Sequence, residues 1–361
     1  MDNPAEGTVP RVTLQEIADA ARVSRATVSL VLANRTEYVR QFRPETVARV
    51  RAIAQKMGYR SNLLASSLRS LRSMFFGLVL RGAQGTDVSA WHHQAFEGAF
   101  ITGVLSAAAE SGIYPVVATQ QTADQGGASE RLDAVLDGGV FGAIIRSPDD
   151  YLTGAIQQRI HRGVPMVAVF PDYPSRFESN VLDMDNRAAG RLAGRLLADE
   201  GRRRWLVVQD ARATEAQRAR EEGIREAGRE LDASVCIECL PDEIGADDVA
   251  QWIGPRIRSA PPDGIFATSS LGSIGALLAC TAAELRVPQQ VSLVGVDASL
   301  WRVDPYPRIT SIEVSWHEAG RRATQILLEC RDRGTGRFEN VMLQPQVMTG
   351  MTCRNAHPPQ S

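Results

Sequence analysis

From Met74 onward the chain alternates short apolar runs with longer amphipathic ones, and this constrains its fold more than any other feature. "FFGLVL" and "IYPVVAT" read as buried strands, rich in large and β-branched apolar residues. Between them, "FEGAFITGVLSAAAESG" reads as a helix. The cycle returns in "ERLDAVLDGG", "VFGAIIRS", "YLTGAIQQRIHRG" and "VPMVAVF". It continues in "NRAAGRLAGRLLADEG", "RRRWLVVQD", "QRAREEGIREAGRE", "SVCIECL", "DVAQWIGPRIRSA", "GIFATSS", "GALLACTAAEL" and "SLVGVD". Strand–helix alternation predicts parallel sheets with helices on both faces. Two such sheets fit two Rossmann-like lobes with a cleft between them. Small ligands bind outside the carboxyl ends of such strands.

The first seventy residues follow a different pattern. "VTLQEIADAARVSRATVSLVL" reads as two short helices. Thr13 caps the first, with Glu16 three residues on in the capping-box position. Leu14, Ile17, Ala18 and Ala21 form its apolar face, Arg22 and Val23 make the turn, and Ser24 caps the second helix. Val28, Val31 and Leu32 face inward from that second helix. "RPETVARVRAIAQKMGY" predicts a third, with Pro44 in its first turn, Val47, Val50, Ile53 and Ala54 inward, and Gly58 as its stop. Three short helices around a small core make a helix-turn-helix domain, and Ser24 to Ser29 lie at the leading end of the helix that enters a major groove.

Charge supports that division. Between Arg11 and Ser73, twelve basic residues face four acidic ones, a surplus of eight, while the whole chain carries −2 and the remainder therefore −10. A basic head on an acidic body places contact with a polyanion on the head alone. A length of 361 residues exceeds one compact core, and an apolar content of 44% is ordinary for a globular protein. No run approaches the roughly 18 apolar residues of a membrane span, and "MDNPAEGTVP" has no apolar core, so no signal peptide is expected. The five cysteines are scattered, and reduced thiols in the cytoplasm are expected.

Several motifs in order carry a resemblance: "VTLQEIADAARVSRATVSLVL", "MGYRSNLLASSLRS", "DNRAAGRLAGRLLADEGRRR" and "RVPQQVSLVGVD". Together they resemble the lactose-repressor/galactose-repressor family of bacterial regulators over nearly the whole chain. The resemblance implies a small all-α helix-turn-helix head plus an α/β body of two Rossmann-like lobes, the periplasmic-binding-protein-like type I architecture. The expected organisation is a tail over 1–10, the head over 11–60, a hinge helix or linker over 61–73, and the body over 74–361. One lobe is expected over about 74–181 and 315–343, the other over about 182–314 and 344–355, with crossings near Leu182, Val314 and Gln344.

The resemblance also implies site residues. Arg25 and Ala26 stand where members contact base edges. Arg25 can pair with guanine or contact phosphate, and Ala26 can touch a thymine methyl. Thr13, Ser24, Thr27, Ser29 and Asn34 are candidates for phosphate contacts. Leu30 stands where many members carry arginine or histidine, and it either meets a base or packs on the head's own core. In the hinge, Asn62 is a cap and Leu68, with Ala65 one turn before it, matches the leucine that wedges into the central base step of the operator. This chain departs from the family pattern at Arg22, where glycine is usual, and at Ser61 and Ser66.

In the cleft, Arg220 matches the arginine that holds ligand hydroxyls or carboxylates, and Asp297 its acidic counterpart. Trp301 stacks on a sugar face or fills a lid. Arg146, Phe170 and Ser269 replace residues more usual there, so the effector is expected to be sugar-like or anionic. Cys236–Cys239 has no second pair to complete a metal site, and His92–His93 cannot share one face. No nucleophile–base pair is evident, so no enzyme activity, cofactor or metal is expected. The expected protein is a cytoplasmic homodimeric regulator, nucleoid-associated when bound to a pseudo-palindromic double-stranded operator and away from membranes. A solute-binding receptor or a sugar-handling enzyme on the same body are the alternatives.

Overall fold

The computed structural model describes residues 12–32, 41–59, 73–81, 88–120, 127–148, 150–241, 245–299, 307–334 and 336–354, with backbone alone over 88–95 and 127–131. The chain divides into two compact units between Ser73 and Met74.

The first unit has three described helices: α1 (Leu14–Ala21), α2 (Arg25–Leu32) and α3 (Pro44–Lys56). The capping box at the start of α1 forms as the sequence predicts. Glu16 N–H donates to Thr13 Oγ1 at 3.3 Å, and Thr13 N–H donates to the Glu16 carboxylate at 2.7 Å. Arg22 ends α1 in the left-handed conformation, φ 50° and ψ 48°, which costs a non-glycine residue about 1 kcal/mol. Val23 N–H then donates to Ala18 O at 3.0 Å and fixes the turn. Ile17, Ala18, Ala21, Val28, Val31, Val47, Val50 and Ala54 close the core. Ile53 and Leu14 pack against it partly buried, and Gly58 follows α3 at φ +69°.

The second unit contains two six-stranded sheets. The first is assembled from β1 (Phe75–Arg81), β2 (Tyr114–Gln120), β3 (Ala143–Arg146), β4 (Met166–Val169), β5 (Val181–Met184) and β11 (Val341–Leu343), in the order β11-β5-β4-β3-β1-β2. The second is assembled from β6 (Arg204–Gln209), β7 (Ser234–Cys239), β8 (Gly264–Ala267), β9 (Ser292–Val296), β10 (Thr310–Glu313) and β12 (Gln346–Met348), in the order β12-β10-β9-β8-β6-β7. All described pairings are parallel except β10 with β12. Four-residue strands such as "AIIR" and "GIFA" are buried throughout, which explains their continuous apolar reading.

The helices are α4 (Val88–Ser111), α5 (Gly127–Asp137), α6 (Asp150–His161), α7 (Asn186–Asp199), α8 (Glu215–Glu230), α9 (Ala246–Ser259), α10 (Ser270–Ala282) and α11 (Trp316–Arg333). In the sheets the chain crosses between lobes after Met184, after Glu313 and after Leu343. The expected first crossing near Leu182 therefore shifts. Leu182 is a strand residue in the first lobe, buried with Phe76 and Phe100, so the chain leaves only once that strand is complete.

Each lobe holds a close helix pair by the same device. A Cβ added at Gly190 in α7 would stand 2.0 Å from Arg220 O in α8, and one at Gly223 would stand 2.1 Å from Arg187 O. In the first lobe, Gly103 of α4 and Gly320 of α11 approach the opposing backbone in the same way. The α7–α8 contact sets where Arg220 stands.

Candidate functional sites

In the head, the start of α2 is organised by hydroxyls. Ser24 Oγ accepts Thr27 N–H at 3.1 Å and lies 2.9 Å from Thr27 Oγ1. The hydroxyl of Thr13 donates to Glu16 at 3.1 Å. These groups act first as caps. First-turn N–H groups at Arg25 and Ala26 have no acceptor within their own helix, and such a terminus favours phosphate oxygens. Arg25 and Ala26 are exposed, and Ser29 is half-buried. Leu30 is half-buried without joining the side chains packed on the head core. Asn34, Asn62, Ala65 and Leu68 lie outside the described residues, as does Trp301.

In the body, the carboxyl ends of the strands converge on a cavity of about 210 Å³ between the lobes. The structure brings four of the expected effector residues there, Arg146, Phe170, Arg220 and Asp297. Ser269 is placed elsewhere: its Oγ caps α10 by accepting Gly272 N–H at 3.1 Å and donates to Asp210 at 2.9 Å.

Arg220 is aimed by two acceptors: Nε–H donates to Asn186 Oδ1 at 2.8 Å and Nη1 to Thr268 O at 2.7 Å. Asp297 follows β9 at φ 50°, and Asp183 belongs to β5. Burial pushes both carboxyls up to about 6, against the pull of Arg220 and, more weakly, Arg146. Burial also lowers the Arg220 guanidinium from its usual value, opposed by Asp297 and Asp183.

Arg146 closes the opposite wall. It ends β3, is 5% exposed, and sits over the rings of Trp316 at 4.6 Å, Phe170 at 5.1 Å and Phe100 at 5.9 Å. Trp316 in turn meets Phe170 and Phe96 in tilted ring pairs, with centroids 4.9 and 5.4 Å away. Burial pulls the Arg146 guanidinium down to about 10, so it stays charged near neutral pH.

The sequence reading missed Arg81, Asp172, Asp183 and Trp316, which also line this cavity. Arg81 Nη2 donates to Asp172 Oδ2 at 2.7 Å. Phe170 follows β4 at φ 50°, and Asp172 two residues later lines the same cavity. Trp316 was findable as an aromatic residue directly after the predicted crossing at Val314.

A helix-turn-helix head followed by a two-lobed α/β body with a polar cavity between its lobes is the architecture of a DNA-binding regulator with room for a small ligand. Comparison with known proteins gives the family. Residues 13–62 match "Bacterial regulatory proteins, lacI family" and residues 195–353 match "Periplasmic binding protein-like domain". The chain is 30% identical over 334 residues to the HTH-type transcriptional regulator CelR of Thermobifida fusca, covering 90% of this chain and 93% of that one. It is 23% identical to the ribose operon repressor of Escherichia coli K12, over 93% of this chain and 98% of the relative. Among solved structures, a lac repressor dimer bound to operator and the anti-inducer ONPF matches with a TM-score of 0.75 at 20% identity, covering 95% and 99%. A CelR–cellobiose complex matches with a TM-score of 0.62 at 25% identity, covering 95% and 100%. The chain belongs to the lacI family of bacterial regulatory proteins, and it is a DNA-binding transcriptional regulator. Among the described residues, no helix is long and apolar enough to cross a membrane.

Proposed function

We propose that this regulator is a cytoplasmic repressor whose affinity for a pseudo-palindromic operator is set by a small polyhydroxylated molecule bound between the lobes. The observation that carries this reading is that Arg220, Asp297 and Asp183 line one cavity at the strand ends, where both carboxylates act on the guanidinium. A guanidinium beside carboxylates suits adjacent hydroxyl groups, since one donates and the other accepts. The cellobiose bound by the CelR relative supports a saccharide-like ligand.

In this reading two chains act together. Each head places α2 in a major groove, with Arg25 and Ala26 at base edges and Thr13, Ser24, Thr27, Ser29 and Asn34 along the phosphates. Asn62, Ala65 and Leu68 form a hinge helix at the centre of the operator. Leucine insertion at one base step bends the duplex at a cost of a few kcal/mol, offset by wider contact. Ligand binding changes the relation of the lobes and thereby operator affinity, and the two affinities are reciprocally coupled.

Selection of bound sequences from a random DNA pool with the full chain tests the DNA half of the proposal. Enrichment of a two-fold-symmetric site supports it. Salt-sensitive binding with no sequence preference contradicts it.

A further inference from the structure

Three guanidinium groups line the interlobe cavity, and they differ in what faces them. Arg81 is paired with Asp172 at 2.7 Å. Arg220 is held by Asn186 and Thr268 and faces Asp183 and Asp297. Arg146 has no carboxylate within ion-pairing distance among the described residues. Glu97, Asp297 and Asp172 act on it only from further away. Nη1 reaches the hydroxyl of its neighbour Ser147, while Nε is buried without a hydrogen-bond partner among the described residues.

A buried cation without a carboxylate is costly. The aromatic faces of Trp316, Phe170 and Phe100 recover part of that cost, because ring quadrupoles attract a desolvated cation. They also hold the guanidinium plane in one orientation, with Nε lacking a partner among the described residues. Planar donors held in one orientation match a carboxylate better than a lone hydroxyl.

We infer that the ligand of this cavity is a sugar acid, a polyhydroxylated molecule bearing a carboxylate that docks on Arg146 while its hydroxyls engage Arg220, Asp297 and Asp183. This rests on the reading of the cavity as the effector site. It narrows that reading to an acidic ligand, because Arg146 is buried on aromatic faces with neither an ion pair nor a partner for its Nε among the described residues.

The test compares probes that differ in charge and little else. Glucuronate, galacturonate and gluconate are titrated into the full chain beside glucuronamide, galactose and glucitol, with heat of binding as the readout. At least one acid is expected to bind about ten- to a hundredfold more tightly than its neutral counterpart, the range a charge-assisted hydrogen bond supplies. Arg146→Gln is expected to erase that preference and Arg146→Lys to retain part of it. If Arg146→Gln does not fold, the ratio of glucuronate to glucuronamide on the wild type decides, since that pair needs no variant. Equal binding of acid and neutral probes, binding of neutral probes alone, no response to any of the acids, or a preference that survives Arg146→Gln overturns the inference. These outcomes are separable from failure of the regulator reading. Loss of sequence preference in the selected DNA pool leaves the acid-to-neutral ratio untouched, and a neutral effector leaves operator binding untouched.

Discussion

Glu215, in the first turn of α8, accepts two hydrogen bonds from Ser175 across the interlobe boundary, one from its N–H at 3.0 Å and one from its Oγ at 2.5 Å. The backbone of the same helix turn adds a third link, Glu215 N–H to Asp172 O at 3.1 Å. Asp172 also accepts from Arg81 inside the cavity, and Arg220 lies on α8 itself. One clasp therefore joins the first lobe to the helix that carries the ligand-facing arginine. Glu215→Ala removes two of its three links. Weakening of effector binding by about two- to tenfold is expected, from the 0.5–1.5 kcal/mol of a typical net hydrogen bond. Titration of the selected effector, read by the fluorescence of Trp316 in the cavity wall, checks this, and an unchanged affinity removes the clasp from the account.

Arg25→Ala separates base reading from phosphate attraction. If Arg25 meets a guanine edge, affinity for the selected operator falls by about 1–3 kcal/mol while affinity for random DNA changes little. Electrophoretic titration on both duplexes at one fixed salt concentration distinguishes the roles. Equal losses on the two would make Arg25 a phosphate contact.

The cavity carboxyls predict an acid-side rise in the stability of the ligand-free body. Burial raises Asp183 and Asp297 to about 6, above their unfolded values near 3.8, so between those limits the native state binds more protons than the unfolded chain. The stability slope with pH is then negative. Stability is expected to climb as pH falls from about 7 towards 5, by on the order of 1–3 kcal/mol. Glu97, also raised by burial, acts in the same sense. Glu226, lowered to about 2 by Arg187 and Arg191, opposes it only below its unfolded value near 4.5. Calorimetric melting from pH 7.5 to 5 reads this directly, and a flat or falling Tm over that window contradicts it.

Gly190→Ala tests whether helix packing sets the cavity. The new Cβ would meet Arg220 O and must push α7 and α8 apart. Destabilisation of about 1–3 kcal/mol is expected from overpacking, with weaker effector binding because Arg220 moves with its backbone. A stability loss without any change in effector affinity would show that Arg220 is positioned by Asn186 and Thr268 alone.

Local signals in the sequence were reliable guides to local structure. Thr13 with Glu16, Ser24 at the start of α2, Pro44 at the start of α3 and Gly58 after it each act within one turn of chain, so their chemistry is visible in a short window. Alternation of apolar runs gave both sheets because buried parallel strands need continuous apolar sequence. The cavity was only partly legible. Arg220 and Asp297 stood in family motifs, whereas Arg81 with Asp172 and Arg146 with Trp316 are partners 91 and 170 residues apart in sequence. No local pattern encodes such a meeting. Ser269 looked like a ligand residue by position, yet the helix that starts beside it takes its hydroxyl as a cap. Phe170 gave no sign of the carboxylate that Asp172 brings to the cavity two residues later.

The central claim is that one ligand in the interlobe cavity controls one operator. Its most direct test is a pair of titrations on the full chain: operator affinity with and without saturating effector, and effector affinity with and without saturating operator. The same fold-change is expected in both directions, with loss of both in Arg220→Gln. An effector that binds the cavity while operator affinity stays constant would contradict it.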